Sequence, residues 1–365
     1  MECNKRCNLF VDLAKVIYAG LFTSIKLRHN KMTINNKKGG IIMIKIVPER
    51  IQKGDEIRII SPSSSIERVG GFEENLISKT RIEKLGFKVS FSENINKNDS
   101  FFSSSIDERV NDFHKAFSDP NVKAVLTTIG GYNSNELLPY IDWKIVKNNP
   151  KIFIGYSDIT SLHNAIRAKT GLVTYYGPCY SGFKMDELQD YQSKELVKAI
   201  TQNAYSLVGS PYWSSDPWFD KTISRTLIPS KWRVYNHGNA TSTITGGNIQ
   251  TYYLQAGTSY FPEVKNPVVF LEQAEEGLAL EFSRELAQVL QIHPDIKGLV
   301  LGRFPKGNEL NNELLPIILD KFPILKTIPV IFDLDFGHTQ PIFTFPLGGE
   351  VKLETENLNL SIING

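Results

Sequence analysis

The chain has 365 residues, 41% of them apolar and 22% charged, an ordinary composition for a globular protein with room for two hydrophobic cores. Its formal charge of +2 is misleading, because residues 1–42 carry eight Lys/Arg against two Asp/Glu while the remainder carries 33 against 37. A mildly acidic body without a basic cluster argues against nucleic acid as the main partner, and three cysteines, Cys3, Cys7 and Cys179, are too few for a disulfide framework.

Residues 1–42 read as a leader foreign to the fold. The apolar stretch 9–27 is interrupted by Asp12, Lys15 and Lys26, so it is too broken for a membrane span, and it lacks a small-residue cleavage site. Lys37-Lys38-Gly39-Gly40 precedes Met43, and codons for that run resemble a ribosome-binding site. Met43 as the native start, or a disordered arm beginning at Met1, are the two readings. With no export signal and no paired cysteines, the expected address is the cytoplasm, with no membrane partner. Neither a C-x-x-C pair nor H-E-x-x-H occurs, so no metal or other cofactor is expected. Cys179 reads as a small buried apolar residue.

From residue 45 the pattern alternates. Residues 56–61 predict a strand, followed by Pro62 and a serine run. Leu76, Ile77, Ile82 and Leu85 fall at helical spacing, with Gly86 at the position of a C-terminal cap. Residues 87–91 predict a second strand and 106–117 a second helix. Residues 122–129 form a near-continuous apolar strand ending in Gly130-Gly131, and 135–141 begin another helix. Residues 151–156 are again a strand, and Ile159, Leu162, Ala165 and Ile166 give the helix after it. Strands apolar on both faces, alternating with helices, predict an N-terminal α/β domain over 43–203 built on a parallel sheet covered on both sides. Functional sites in such sheets form outside the carboxyl ends of the strands.

Residues 204–240 break the rhythm and place Trp213, Trp218 and Trp232 among serines, prolines and charges, as a lid, a binding loop or an interface would, or as tryptophans folded onto their own domain. A smaller C-terminal α/β domain follows over 241–365. Residues 241–245 predict a strand, Gly246-Gly247-Asn248 a turn, and 249–255 a short helix. Strands at 267–271, 296–301 and 328–332 alternate with helices at 278–292 and 309–321. The tail at 342–345, 350–354 and 358–362 reads as short antiparallel strands.

The corner Gly155-Tyr156-Ser157-Asp158-Ile159 ends a buried strand and opens a helix. That geometry lifts a serine hydroxyl clear of the backbone, beside partly unpaired amide groups. A plain N-cap serine is the other reading. Serine chemistry needs a base, a group that orients the base, and donors for the developing oxyanion. Among six histidines, His338 differs: Gly337 and Pro341 fix it in a tight loop after a buried strand. Glu272 closes the strand Val268-Val269-Phe270-Leu271, where a carboxylate is costly without a partner. It could orient His338, or belong to the acidic turn at 272–276. Gly130-Gly131 could bring backbone N–H groups to an oxyanion together with the N–H of Asp158, or be a simple tight turn. The Asp158 side chain could serve as a first-turn helix acid.

Five ordered motifs carry a resemblance: Ile129-Gly130-Gly131-Tyr132-Asn133-Ser134-Asn135, Gly155-Tyr156-Ser157-Asp158-Ile159-Thr160, Thr245-Gly246-Gly247-Asn248, Phe270-Leu271-Glu272 and Phe336-Gly337-His338-Thr339. From about residue 45 to the end, the chain resembles the serine LD-carboxypeptidases of peptidase family S66, in the branch that includes the microcin C immunity proteins. The resemblance implies a Ser157–Glu272–His338 triad, an oxyanion hole from the backbone of Gly131 and Asp158, an active site in the cleft between two domains, and a homodimer. It also implies a substrate that is a small peptide, such as a murein tetrapeptide, or a peptidyl- or aminoacyl-nucleotide. The long aromatic loop favours the nucleotide, with Trp213 or Trp218 stacking on a purine.

Overall fold

The structure, a computed structural model, describes residues 44–365 apart from Lys221 and Asn312. The expected leader, with Cys3, Cys7 and His29, and Met43, one of the two readings of the native start, lie outside the described residues. Five parallel strands, β1 (Glu56–Ile60), β2 (Lys88–Phe91), β3 (Val122–Thr127), β4 (Ile152–Gly155) and β5 (Thr174–Tyr176), form the first sheet in the order β2-β1-β3-β4-β5. Period-two alternation sends their side chains into two cores. Ala124 and Leu126 face one, while Val125 and Phe153 face another built with Phe113, Phe117, Leu162 and Ile166 from helices Ile106–Ser118 and Thr160–Thr170.

The second sheet is mixed. Its strands are β6 (Tyr205–Leu207), β9 (Arg233–Asn236), β10 (Asn239–Asn248), β11 (Val268–Glu272), β12 (Gly298–Gly302), β13 (Val330–Leu334), β15 (Glu350–Glu354) and β16 (Asn359–Asn364), in the order β6-β16-β15-β10-β11-β12-β13-β9. Strands β10 to β13 run parallel, and antiparallel strands flank them on both sides. The remaining pair, β7 (Tyr212–Trp213) and β8 (Ile228–Pro229), closes the neck of a long excursion. Strand β14 (Phe345–Leu347) leaves the second lobe and pairs antiparallel with β5 at the edge of the first sheet.

Phe270, Val300 and Ile331 join the first sheet's Leu126 and Ile154 in one shared core between the sheets. Their neighbours Val269, Leu271 and Leu301 turn outward against Phe282, Leu286 and Val289 of helix Ala279–Ile292. Each fully buried side chain of this kind contributes about 1.5–3 kcal/mol relative to exposure.

Two local expectations are corrected and one helix is added. Gly246-Gly247-Asn248 is the end of β10, paired in register with Phe270, Leu271 and Glu272. These glycines permit close approach: a Cβ on Gly246 would collide with the Phe270 carbonyl oxygen, and one on Gly247 would lie 2.7 Å from Thr160 Oγ1. The helix expected at 309–321 contracts to Leu314–Leu319, between Asn311, whose side chain caps Glu313 and Leu314, and Pro323. A helix at Gln189–Thr201, not expected from the sequence, packs Leu196, Ala199 and Ile200 on the shared core.

Candidate active site

Three strands, one from the first sheet and two from the second, bring the candidate residues together beyond their carboxyl ends. Ser157 follows β4, Glu272 closes β11, and His338 lies beyond β13. Ser157 sits at φ +64°, a left-handed conformation that costs a non-glycine residue on the order of 1–3 kcal/mol. Neighbours hold it there. Thr160 Oγ1 donates to the Ser157 carbonyl at 2.7 Å, and the Ser157 amide donates to the Tyr176 hydroxyl at 3.2 Å. The turn points the Ser157 hydroxyl into the space between the sheets.

There it meets His338. The Ser157 Oγ to His338 Nε2 distance is 3.1 Å, and His338 Nδ1 lies 2.6 Å from Glu272 Oε2. Glu272 is fully buried, a location that costs an isolated carboxylate several kcal/mol. Two partners offset that cost: the imidazole, and the Tyr176 hydroxyl, which donates to Oε1 at 2.6 Å. Tyr176 therefore touches both the serine's backbone and the carboxylate, a link that sequence reasoning missed. Its only sequence signal was an aromatic pair, Tyr175-Tyr176, before Gly177. Gly337, at φ +100°, makes the Glu272–His338 approach possible, since a Cβ there would lie 2.6 Å from the Glu272 Cβ.

Burial disfavours the imidazolium of His338, but the carboxylates of Glu272, Glu275 and Glu276 outweigh it and raise its pKa to about 9. Glu276 also accepts a hydrogen bond from the Tyr132 hydroxyl at 2.7 Å, across the mouth of the cleft. Asp158 is a first-turn acid of the short helical turn Ser157–Ile159 that leads into helix Thr160–Thr170, and it is buried. Its buried carboxylate accepts from Ser63 Oγ at 2.7 Å and from the Ser134 amide at 2.9 Å, stapling together the loops that follow β1, β3 and β4. Burial pushes its pKa up. A Cβ on Gly130 would lie 3.0 Å from Ser157 Oγ and 3.5 Å from the Asp158 amide nitrogen, so Gly130 packs directly against the serine, whereas a Cβ on Gly131 would collide with Ser63 Oγ.

A cavity of about 790 Å³ opens from Ser157 and His338, walled by Gly130, Gly131, Tyr132 and Tyr156 and by Glu275 and Glu276. Trp218 and Phe219 also line it, with Lys184 near the Trp218 ring and Arg68 near the Tyr132 ring. The two candidate tryptophans part company here. Trp213 lines a different cavity of about 410 Å³, with its ring 4.9 Å from the Arg303 guanidinium. Trp232 is buried and donates to Asp335 at 2.7 Å. His163 and His293 are buried within the packing of the lobes, and burial lowers the pKa of each to about 4. Cys179 is buried. Among the described residues, no group of His, Cys, Asp and Glu could hold a metal ion, and no helix is long and apolar enough to cross a membrane.

Comparison with known proteins agrees with this architecture. Residues 57–177 match the LD-carboxypeptidase N-terminal domain, and residues 241–353 the LD-carboxypeptidase C-terminal domain. YocD of Bacillus subtilis (strain 168) is 40% identical over 309 residues, covering 84% of this chain and 95% of that protein. The microcin C7 self-immunity protein MccF of Escherichia coli is 30% identical over 295 residues, covering 77% of this chain and 85% of MccF. The solved structure of MccF in complex with aspartyl sulfamoyl adenosine superposes with a TM-score of 0.80 at 28% identity, covering 88% of this chain and 99% of that one. A crystal structure of an MccF-like protein from Bacillus anthracis str. Ames gives a TM-score of 0.85 at 42% identity, covering 88% of this chain and all of that one. The chain belongs to the LD-carboxypeptidase family, peptidase family S66, in its MccF-like branch, and is a serine carboxypeptidase-type hydrolase.

Proposed function

We propose that the chain hydrolyses the amide-type bond of an aminoacyl- or peptidyl-nucleotide of the microcin C kind, a self-immunity or detoxifying activity. Ser157 Oγ attacks the scissile carbonyl while His338 Nε2 takes its proton. Glu272 holds the ring with Nδ1–H toward Oε2, leaving Nε2 free to accept. The amides of Gly131 and Asp158 receive the oxyanion. His338 then gives its proton to the leaving nitrogen, and the acyl-enzyme is released by water that His338 deprotonates in turn.

The observation that carries the substrate reading is Trp218 with Lys184 in the same cavity as Ser157, the lysine ammonium 6.0 Å from the indole centroid. An indole suits a purine face and a nearby ammonium suits a phosphate-like group. The aspartyl sulfamoyl adenosine held in one solved MccF structure and the adenosine monophosphate held in another support the same reading.

The purified chain would be incubated separately with a processed microcin C-type aminoacyl-nucleotide and with a murein tetrapeptide, and the products weighed by mass spectrometry. Release of the free nucleotide moiety is expected. Loss of D-alanine from the tetrapeptide alone would assign the chain to murein-peptide recycling instead. Trp218→Ala should raise KM for the nucleotide substrate by about tenfold or more, on the scale of one stacked base. Trp213→Ala, remote from this cavity, should leave KM within about twofold. Equal losses for the two variants would remove the stacking role.

The pH profile tests His338. Its unprotonated form is the base, so activity rises as pH rises through its pKa. The acid limb of kcat/KM is expected near 9 rather than at the ordinary histidine value of 6.5. Glu276→Gln removes a charge that favours the imidazolium and should move the limb to lower pH. A limb that stayed in place in Glu276→Gln would exclude that carboxylate as a cause.

A further inference from the structure

The excursion bearing Trp218 is tied to the loop bearing His338 on both sides of the imidazole. Three residues before His338, the fully buried carboxylate of Asp335 takes four donors. The Ser210 amide and Trp232 Nε1 reach Oδ2 at 3.1 and 2.7 Å, and Ser230 Oγ and Arg303 Nη1 reach Oδ1 at 3.1 and 2.7 Å. Ser210 and Ser230 stand at the two ends of the excursion, whose neck is closed by β7 with β8 and by the Ser230 amide on the Pro211 carbonyl at 3.0 Å. Two residues after His338, Gln340 exchanges both backbone hydrogen bonds with Ser214, at 2.8 and 2.9 Å.

We propose that Asp335 is a positioning residue, a single buried carboxylate that fixes the substrate-contacting excursion and the His338 loop as one body. The proposal rests on the reading of Trp218 and His338 given above. Burying a carboxylate is costly, and a well-packed apolar group would serve stability as well or better. What an apolar group cannot do is gather donors from Ser210, Ser230, Trp232 and Arg303 at one point. Arg303 completes the arrangement: its Nη2 donates to Ser230 Oγ at 2.7 Å and to the Asp333 carbonyl at 2.6 Å, linking the excursion to the end of β13. Ligand contact at Trp218 and placement of the imidazole are therefore held by the same group.

The test uses the full chain and two readouts: the rate at which a fluorophosphonate labels Ser157, which reports the imidazole, and AMP affinity by isothermal titration calorimetry, which reports the excursion. Asp335→Asn is expected to slow labelling by about tenfold or more, since displacements near 1 Å cost up to about 100-fold. It should also weaken AMP binding by about fivefold or more. In a Trp218→Ala background, Asp335→Asn should weaken AMP no further while still slowing the label. A folded Asp335→Asn with both readouts unchanged, or with a lowered Tm and nothing else, would overturn the proposal. So would multiplicative effects on AMP. If Asp335→Asn does not fold, Ser230→Ala decides, because it removes the hydroxyl's bonds to Asp335 and Arg303 and keeps the charge pair of those two; unchanged AMP affinity there overturns the proposal. Failure of the nucleotide reading shows in the parent instead, as labelling without AMP binding, and the labelling rates of the variants then decide alone.

Discussion

Replacing Ser157 with alanine is expected to lower kcat by about four to six powers of ten, with KM changed only a few-fold. The substitution removes the atom that forms the acyl bond and nothing that shapes the cavity. The backbone at φ +64° stays held by Thr160 and Tyr176, which bind the serine's carbonyl and amide rather than its hydroxyl. The variant should therefore fold and still bind substrate, which makes it the form to crystallise with an uncleaved ligand. Because nucleophile and base act as a unit, Ser157→Ala combined with His338→Ala should be scarcely slower than either alone. Single-turnover and steady-state kinetics on the same substrate measure this, and a Ser157→Ala enzyme within about tenfold of the parent would remove Ser157 from the mechanism.

The second large effect belongs to Glu272→Gln, expected to lower kcat by on the order of 10⁴-fold. The carboxylate accepts twice, from Tyr176 at one oxygen and from His338 at the other, each at 2.6 Å. A glutamine has one oxygen for these two donors. If the oxygen faces Tyr176, the amide nitrogen faces His338 and favours the tautomer with its proton on Nε2, where it cannot accept from Ser157. If it faces His338, the Tyr176 hydroxyl meets an N–H. The same change removes the strongest charge favouring the imidazolium, so the acid limb of whatever activity remains should fall from about 9. Residual kcat within about tenfold of the parent, with the limb unmoved, would contradict the orienting role.

How much of this was legible in the sequence follows from which forces are local. The corner at Ser157 could be read because a strand buried on both faces needs an unbroken apolar run, and that run stops at Gly155 before a helical spacing begins. Asn248 shows the limit. It caps helix Ile249–Tyr252 as a turn residue would, yet the two glycines before it belong to a strand, because their constraint is the nearness of Phe270 and Thr160 rather than a reversal of the chain. Helix Gln189–Thr201 escaped because its first half is polar and its buried residues include Gln189, Gln192 and Glu195, so apolar spacing gave little signal. The placement of Trp213 and Trp218 in different cavities was beyond local reading. The segment that carries both is tied, at Ser210 and Ser214, to Asp335 and Gln340, more than a hundred residues further on. Tyr176 was missed for a related reason, since its role exists only once β5 lies beside β4 and faces Glu272 from the other lobe.

Soon after His338 the chain returns to the first sheet, and Phe345–Leu347 becomes the neighbour of Thr174–Tyr176. For the two halves to gape apart, that strand would have to peel away, baring the edge beside Tyr176 and unseating the very hydroxyl that steadies Glu272. The contact at the rim, where Tyr132 reaches Glu276, is a single hydrogen bond between side chains and can part without disturbing that strand pair.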